Sequence, residues 1–302
     1  MVDLSVRIGK LELRNPTILA SGIMDETADS IKRVAEEGAG AVVTKSVGKE
    51  PREGYANPTV VELEHGILNA MGLPNPGIEA YAEEMEELRD LNIPVIGSIF
   101  GSDEKEFSFL ARKMQEYGAR AIELNLSCPH ASGYGAETGS QPDVVKSIVH
   151  AVKHSVDLPV FAKLTSNVTS IVEIGKAAEE GGADGVVAIN SIKAMKIDVN
   201  LKKPILSNKV GGYSGPAIKP IGIRCVYELA QELNIPIIGV GGIKCGEDAV
   251  EYILAGASAV QIGGGIYYRD MRIFREVCKE MENWMKSNNY SAIEEFRGVA
   301  LR

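Results

Sequence analysis

The amino-acid sequence predicts an α/β fold, a (β/α)8 barrel with small insertions over its mouth. Eight short apolar runs alternate along the chain with longer amphipathic segments, and a glycine often follows such a segment before the next run. Alternating strands and helices are typical of a parallel sheet covered by helices, and eight repeats favour closure into a barrel. An open doubly wound sheet is the alternative, because one false strand would change the count.

The predicted strands are the apolar runs at residues 17–20, 41–45, 95–99, 121–126, 160–164, 185–189, 237–240 and 259–263. Segments between them have apolar residues at helical spacing and are predicted helices, at residues 29–37, 78–91, 104–117, 143–154, 171–180, 221–233 and 247–254. Glycines in EEGAGA, EYGARA, EGGADG and LAGASA supply left-handed caps that end helices. A last helix, predicted at residues 271–286, should complete the outer ring.

Two segments are too long for plain connections within this repeat. Residues 48–77 contain four prolines and are predicted to form a small hairpin subdomain over the barrel mouth. Residues 193–219 form the second insertion, with tight turns at Gly211-Gly212 and Gly215-Pro216. No linker or low-complexity tract interrupts the pattern, so we expect residues 1–302 to form a single domain.

Composition and charge exclude several classes of function. The chain has 302 residues, 45% of them hydrophobic, and its net charge of -9 argues against binding to nucleic acid. The N-terminus lacks the apolar core of a signal peptide, and no run of about 18 apolar residues occurs, so a cytoplasmic protein is expected. The cysteines are scattered without a CxxC pair, which predicts thiols and no zinc or iron–sulfur site: Cys128, Cys225, Cys245 and Cys278.

Residues 121–139 are the stretch best suited to hold reactive groups. An apolar strand ends there in Asn125, followed by Cys128 and Pro129, and then by spaced glycines that would let a flap move. The carboxyl ends of barrel strands are where active sites lie, so Cys128 is a candidate catalytic residue. A buried structural cysteine is the alternative.

Glycines follow the seventh and eighth predicted strands, as Gly241-Gly242 and Gly263-Gly264. Glycine lets a phosphate approach backbone N–H groups, and barrels often hold a phosphate between these two loops. The placement therefore predicts a phosphate site, with ordinary β–α turns as the alternative. No GxGxxG motif follows a first strand, so a Rossmann NAD site is not expected.

Lysines and asparagines lie at other strand ends. Lys45 and Lys163 would be costly to bury without an anion, so they predict an anionic ligand, or else a structural ion pair with a barrel glutamate such as Glu123. Asparagine offers a donor and an acceptor together, which complements an amide-rich ring such as a pyrimidine; turn or cap roles are the alternative. The asparagines concerned are Asn69, Asn125 and Asn190.

Together the segments ILASG, VVTKS, LNAMGLPNPG, LNLSCP, AKLT, AINS, GGYSGPAIKP, IIGVGGI and GASAVQIGGG resemble the class 1 dihydroorotate dehydrogenases. The resemblance extends over essentially the whole chain. It implies an FMN-containing barrel that oxidises (S)-dihydroorotate to orotate in pyrimidine (UMP) biosynthesis. Cys128 matches the base of that class, which takes the C5 proton while hydride passes from C6 to the flavin.

The resemblance also implies binding residues by position. Those on the flavin-binding motifs are Ala20, Ser21, Gly22, Lys45, Ser46, Ser98, Asn125, Lys163, Ile189, Gly215, Gly241, Gly242, Gly263 and Gly264. Those on the orotate-binding motifs are Lys45, Asn69, Met71, Gly72, Leu73, Asn125, Asn190 and Ser191.

The sequence departs from the family pattern at a few positions. Ser98 stands where asparagine is frequent, and Gly264 stands where threonine is common. His130, two residues after the cysteine, stands in place of asparagine. The related dihydropyrimidine dehydrogenases have a CPH sequence, but their acting cysteine corresponds to a position around Gly139, where this chain has no thiol. Uracil or thymine reduction is therefore a second hypothesis, and a phosphate-binding barrel without redox chemistry is a third.

The resemblance also bears on the electron acceptor. The cysteine base and the lack of a membrane-inserting extension argue against the quinone-using class 2. The MKIDVNLKKPILSNKVGGYSGPAIKP region resembles type 1B, whereas Ser98 resembles the fumarate-reducing type 1A. Type 1B is the preferred hypothesis; it implies a homodimer joined in a heterotetramer by a subunit that carries FAD and a [2Fe–2S] cluster and reaches NAD.

Overall fold

A computed structural model describes residues 2–126 and 138–302. Eight parallel strands form a closed barrel, which confirms the predicted fold: β1 Thr17–Leu19, β2 Ala41–Val43, β3 Val95–Ile99, β4 Ala121–Asn125, β5 Val160–Leu164, β6 Gly185–Ala188, β7 Ile237–Val240 and β8 Ala259–Ile262. Each strand pairs with its neighbours in chain order, and β8 closes on β1 with Val260 opposite Thr17. The open-sheet alternative is therefore excluded.

The barrel strands are buried on both faces, as expected for parallel strands covered by helices. Their outward side chains pack under the helices, and their inward side chains fill the barrel. Polar residues that occur inside these strands therefore have no access to water except at the mouth. This burial makes Glu123, Lys163 and Gln261 unusual, since each lies within a buried strand.

Helices follow the strands and surround the barrel, at Ala28–Glu36, Ala82–Glu87, Glu104–Glu116, Pro142–Lys153, Ile171–Glu180, Lys219–Glu232, Gly246–Leu254, Gly265–Arg269 and Ile273–Ser287. Side-chain hydrogen bonds to the first backbone N–H groups fix where some of these helices begin. The Asp103 side chain accepts hydrogen bonds from the backbone N–H groups of Lys105 and Glu106, capping one helix. The final helix contacts β1 and the helix Gly246–Leu254, so it completes the outer ring as predicted.

One predicted helix is much shorter than expected. Residues 78–91 were predicted to be helical, but the α-helix extends only over Ala82–Glu87 and the chain on either side forms turns. After the helix, Leu88, Arg89 and Leu91 donate hydrogen bonds three residues back, a tighter winding than the α-helix. Aspartate, asparagine and proline follow in this segment, and all three are poor helix formers.

The two insertions combine into one antiparallel sheet, with the strand order Ile192–Met195, Val210–Ser214, Gly66–Asn69 and Val60–Leu63. A small core separate from that of the barrel supports it, built on Leu68, Ala70 and Leu206. The predicted hairpin over the mouth is therefore present, and the second insertion pairs with it. A further short ribbon joins Ile197–Asp198 to Lys203–Pro204.

The N-terminal hairpin Val6–Ile8 and Leu11–Leu13 packs its apolar residues into the main core. Among the described residues, no helix has both the length and the apolar character needed to cross a membrane.

Candidate active site

A cavity of about 500 Å³ opens at the carboxyl ends of the barrel strands, beneath the sheet formed by the insertions. Every predicted site residue in the described part of the chain lines it except Ser98: Ala20, Ser21, Gly22, Lys45, Ser46, Asn69, Met71, Gly72, Leu73, Asn125, Lys163, Ile189, Asn190, Ser191, Gly215, Gly241, Gly242, Gly263 and Gly264. Cys128, the predicted catalytic residue, lies outside the described residues, as does His130. The assignment of individual ligand contacts stays a prediction.

The barrel and the insertions contribute different parts of the wall. Asn125 is the last residue of β4, Lys163 lies within β5, and Asn190 follows β6, so parallel strands bring these side chains to one end. The insertion sheet supplies Asn69 and the following segment through Leu73. Asn69 is held against the second insertion, because its Nδ2 donates to the Gly212 carbonyl at 3.4 Å.

A chain of side-chain hydrogen bonds is centred on the buried hydroxyl of Ser46. Asn125 Nδ2 donates to Ser46 Oγ at 3.1 Å, and the Oγ atoms of Ser98 and Ser21 lie 2.8 Å and 3.2 Å from it. Asn190 Nδ2 extends the chain to Asn125 Oδ1 at 3.4 Å. Ser98 is fully buried behind Ser46, so its geometry is that of a support for a cavity-lining residue. A direct cofactor contact by Ser98 stays a prediction.

Asp25, which supports two cavity-lining residues from behind, was not predicted from the sequence. Its carboxylate is 2% exposed and accepts hydrogen bonds from Ser21 Oγ at 3.1 Å and from the Gly22 backbone N–H at 2.5 Å. Burial raises the pKa of this carboxyl, and the attraction of Lys45 partly opposes the rise. The signal in the sequence was an acidic residue three positions after ASG, preceded by the apolar pair Ile23 and Met24.

A second missed residue, Gln261, completes a polar cluster on the cavity floor. Lys163 Nζ lies 3.0 Å from Glu123 Oε1 and 3.2 Å from Gln261 Oε1. Gln261 Nε2 donates in turn to Glu123 Oε2 at 2.6 Å. The alternative of an ion pair with Glu123 is therefore confirmed for Lys163, which also lines the cavity. An anionic ligand at Lys163 stays a prediction. The available signal was the single polar residue in the apolar run of β8.

The glycine loops meet on one side of the cavity. Gly242 has φ +72°, and a Cβ there would lie 2.7 Å from Lys219 Cβ and 2.8 Å from the Gly215 carbonyl oxygen. A Cβ on Gly264 would in turn lie 3.7 Å from Gly215 N. Loops after β7, after β8 and at the end of the second insertion therefore approach each other closely. Only residues without a side chain allow this approach at Gly242.

Apolar side chains form much of the remaining wall, and the sequence analysis did not assign them: Ile23, Val60, Ile67, Ile218, Val240, Ile243 and Ile266. They carry no chemical signal that separates them from core residues. A mostly apolar wall with a few convergent polar groups is typical of sites for small ligands, and the volume lies within their usual range.

The other candidate groups in the described residues do not line the cavity. His65, His150 and His154 are exposed, and residues 2–126 and 138–302 contain no cluster of three or more histidine, cysteine or acidic side chains able to hold a metal. The cysteines in these ranges are free thiols. Burial raises the pKa of Cys225 and of Cys278 to about 11.

The fold and the cavity define a class: a (β/α)8 barrel whose mouth brings ammonium groups, side-chain amides and glycine loops together around a cavity of the size typical of small-ligand sites. Comparison with known proteins narrows that class. Residues 3–285 match the sequence model of the Dihydroorotate dehydrogenase family, so the chain belongs to that family.

Individual relatives agree with this membership. The chain is 55% identical over 299 residues to a Pyrococcus abyssi protein named dihydroorotate dehydrogenase B (NAD(+)), catalytic subunit, covering 99% of both chains. It is 54% identical over 301 residues to the Methanocaldococcus jannaschii protein of the same name, covering 98% of both. The crystal structure of an Eimeria tenella dihydroorotate dehydrogenase in complex with ferulenol superposes with a TM-score of 0.86 at 25% identity, covering 99% of this chain and 89% of that one.

Proposed function

We propose that this chain oxidises (S)-dihydroorotate to orotate with bound FMN, as the catalytic subunit of a type 1B dihydroorotate dehydrogenase. One observation supports this above the others: a single cavity gathers the two predicted binding sets apart from Ser98, including both lysines and all three asparagines. The family membership of the chain and the names of its relatives point to the same reaction.

The cavity fits FMN in its chemistry. The loops of Gly215, Gly242 and Gly264 approach each other closely, and a Cβ on Gly242 would collide with Lys219 and the Gly215 carbonyl. Loops with glycine at these positions suit the approach of a phosphate to backbone N–H groups. Lys163 and Gln261 on the floor offer hydrogen-bond donors to the acceptor atoms of a flavin ring. We assign the phosphate to the glycine loops and the ring to the floor, with Ala20, Ser21, Gly22, Ser46 and Ile189 along the wall.

The second ligand, dihydroorotate, is assigned to the side of the cavity that the insertion sheet covers. It is a small anion with ring amides, and Asn69, Asn125 and Asn190 present paired donors and acceptors of that kind. Lys45 supplies the positive charge for the carboxylate. Met71, Gly72, Leu73 and Ser191 are the remaining proposed contacts.

Bound FMN supplies the acceptor for the two electrons removed from the substrate. Cys128, as a thiolate, takes the C5 proton and acts as the general base. An ordinary thiol has a pKa of about 8.5, so flavin reduction is expected to accelerate with rising pH through that range. The hydrogen-bonded side chains of Asn125 and Ser46 orient the substrate ring for this proton transfer.

For the acceptor, we propose NAD, reached through a partner subunit that carries FAD and a [2Fe–2S] cluster. Relatives named as NAD(+)-type catalytic subunits support this choice over fumarate. We further propose a cytoplasmic location, a single domain over residues 1–302, and a homodimer within a heterotetramer.

Anaerobic reduction tests the reaction itself. Purified protein should be yellow, and dihydroorotate should bleach the flavin absorbance while dihydrouracil leaves it unchanged. Bleaching by dihydrouracil would favour the dihydropyrimidine dehydrogenase hypothesis, and a colourless protein that does not bind FMN would favour a phosphate-ligand barrel.

The acceptor is tested separately with the isolated chain. Reoxidation by fumarate should be absent, and NAD reduction should require the copurifying partner subunit. Rapid turnover with fumarate in the absence of a partner would contradict the type 1B assignment.

A further inference from the structure

The cavity floor contains a closed triangle of polar side chains from three different strands. Glu123 of β4, Lys163 of β5 and Gln261 of β8 are 1%, 5% and 1% exposed. Each member is hydrogen-bonded to the other two, at distances of 3.0, 3.2 and 2.6 Å. Lys163 and Gln261 line the cavity, whereas Glu123 is not among the lining residues and lies behind them.

Counting donors and acceptors shows what this triangle presents to a ligand. Both carboxylate oxygens of Glu123 are used, one by the lysine and one by the amide. Of the three N–H groups of Lys163, two point to Glu123 and Gln261, and Gln261 keeps one N–H beyond the one that it donates to Glu123. The floor therefore offers donors to the cavity, and Glu123 fixes the direction of both.

Charge balance gives Glu123 a second effect. The ammonium and the carboxylate of this buried pair cancel, so the floor is neutral overall although it presents donors. A buried ammonium without its carboxylate would be an uncompensated positive charge, whose influence is strong where water is excluded. Any ligand that gains negative charge on the floor would then be stabilised relative to its neutral form.

We propose that Glu123 is a positioning residue that sets the reduction potential of FMN by orienting Lys163 and Gln261 and cancelling the lysine charge. The inference rests on the proposed function, because it requires FMN above this floor. FMN gains negative charge on two-electron reduction near neutral pH, so an uncancelled ammonium beneath it would favour the reduced form.

The test is the midpoint potential of bound FMN in Glu123→Gln, measured at pH 7 by equilibration with a reference dye. The amide keeps the size of the side chain but removes its charge, and it can accept from only one of its two neighbours. We expect the ratio of reduced to oxidised FMN at fixed potential to rise at least tenfold, a shift of about 30 mV for a two-electron couple. FMN affinity should fall as well, measured by fluorescence titration.

Asp184→Asn is the matched control. Like Glu123, Asp184 pairs with a lysine, Lys153, at 2.6 Å and accepts a second hydrogen bond, here from the backbone N–H of Val160 at 2.8 Å. It immediately precedes β6, at the opposite end of the barrel from the cavity. We expect this variant to lower the midpoint of urea unfolding and leave the FMN potential at the wild-type value.

Glu123→Asp keeps the charge but shortens the side chain, and serves if the amide variant does not fold. A smaller rise, of about threefold in the same ratio, is expected because the carboxylate moves away from Lys163. A wild-type potential in either folded Glu123 variant, or an equal shift in Asp184→Asn, would overturn the inference.

The two proposals fail differently. If wild-type protein binds FMN and is bleached by dihydroorotate but the Glu123 variants keep its potential, only the role of Glu123 is wrong. If wild-type protein binds no FMN, both the proposed function and this role are wrong.

Discussion

At the scale of single residues, the site depends on buried polar groups that are held by their neighbours. Asp25 is the clearest case. Its carboxylate binds Ser21 and the Gly22 N–H, and its backbone carbonyl accepts from Tyr81 at 3.0 Å and from the Lys45 N–H at 2.9 Å. The residue thereby joins two loops that line the cavity, after β1 and after β2. Its role is one of organisation, and it should show in stability more than in chemistry.

The raised pKa of Asp25 predicts a pH-dependent stability. The folded carboxyl keeps its proton to a higher pH than the unfolded one, whose pKa is about 3.9. As pH rises, the unfolded state ionises first, so the free energy of unfolding falls until the folded carboxyl has also ionised. Asp25→Asn lacks this titration.

Urea unfolding of both proteins from pH 4 to pH 7 measures the effect. The stability of wild type relative to Asp25→Asn should decrease with rising pH. A difference that is constant with pH would show that burial does not raise the pKa of this group.

The cysteines allow a second prediction at the residue scale. With a pKa of about 11, Cys225 and Cys278 carry a thiolate fraction of about one in a thousand at pH 8 and should react slowly with iodoacetamide. Burial also raises the pKa of Cys245. If Cys128 is the general base, it should be the cysteine that labels fastest, as read by mass spectrometry of peptides.

Cys128→Ala connects that labelling to the chemistry. It should remove the fast label and slow flavin reduction by at least about a hundredfold, the usual contribution of a general base. Cys245→Ala, the control, should keep both. Normal reduction in Cys128→Ala, with no dependence on pH through the thiol range, would exclude the catalytic role.

At the scale of elements, the loops contribute more to the geometry of the cavity than the strands do. The strands were predictable because short apolar runs next to glycine are typical of buried strands. Three of the eight match the predicted bounds, and the other five end one or two residues earlier than predicted. The loops are where backbone geometry becomes specific. Gly242 has a left-handed φ, and the position of a Cβ there is already occupied by Lys219 and the Gly215 carbonyl. Even a methyl group at this position should therefore disturb the loops strongly.

Gly242→Ala tests this loop. The methyl group would meet Lys219 and the Gly215 carbonyl, so one of the loops must move, and FMN affinity should fall at least tenfold by fluorescence titration. Gly118→Ala is the control, because Gly118 has φ +95° with nothing within 4 Å of the added carbon. That variant should lose about 1–3 kcal/mol of stability from backbone strain but bind FMN normally. Equal FMN affinity in the two variants would show that the Gly242 loop does not bind the phosphate.

At the scale of the whole molecule, the ends of seven of the eight barrel strands and the two insertions enclose one continuous cavity. The residues assigned to FMN and to orotate share that space, and Lys45 and Asn125 are assigned to both. Two ligands in one cavity complete each other's binding surface, so their affinities should be coupled and the coupling should be reciprocal.

Thermal unfolding with each ligand alone and with both tests this coupling. FMN should raise the melting temperature, since a ligand at a hundred times its Kd adds about 2.7 kcal/mol. Orotate should add a further increase with FMN present and none without it. Equal stabilisation by orotate in both cases would show that its site is complete without the cofactor.

The sequence by itself determined the barrel, the loops that carry glycine and the residues that resemble a family, because periodicity and local motifs are properties of neighbours along the chain. Only the tertiary structure decided which polar groups meet. Gln261 lies 138 positions from Glu123, and Asp25 lies twenty from Lys45, so no local pattern assigns these groups to one another. The ion pair of Lys163 with Glu123 was the one such contact offered by the sequence, and only as an alternative. The pairing of the two insertions and the apolar wall of the cavity also depend on the tertiary structure. The closure of the barrel determines which strand ends face each other, and therefore which loops and side chains meet.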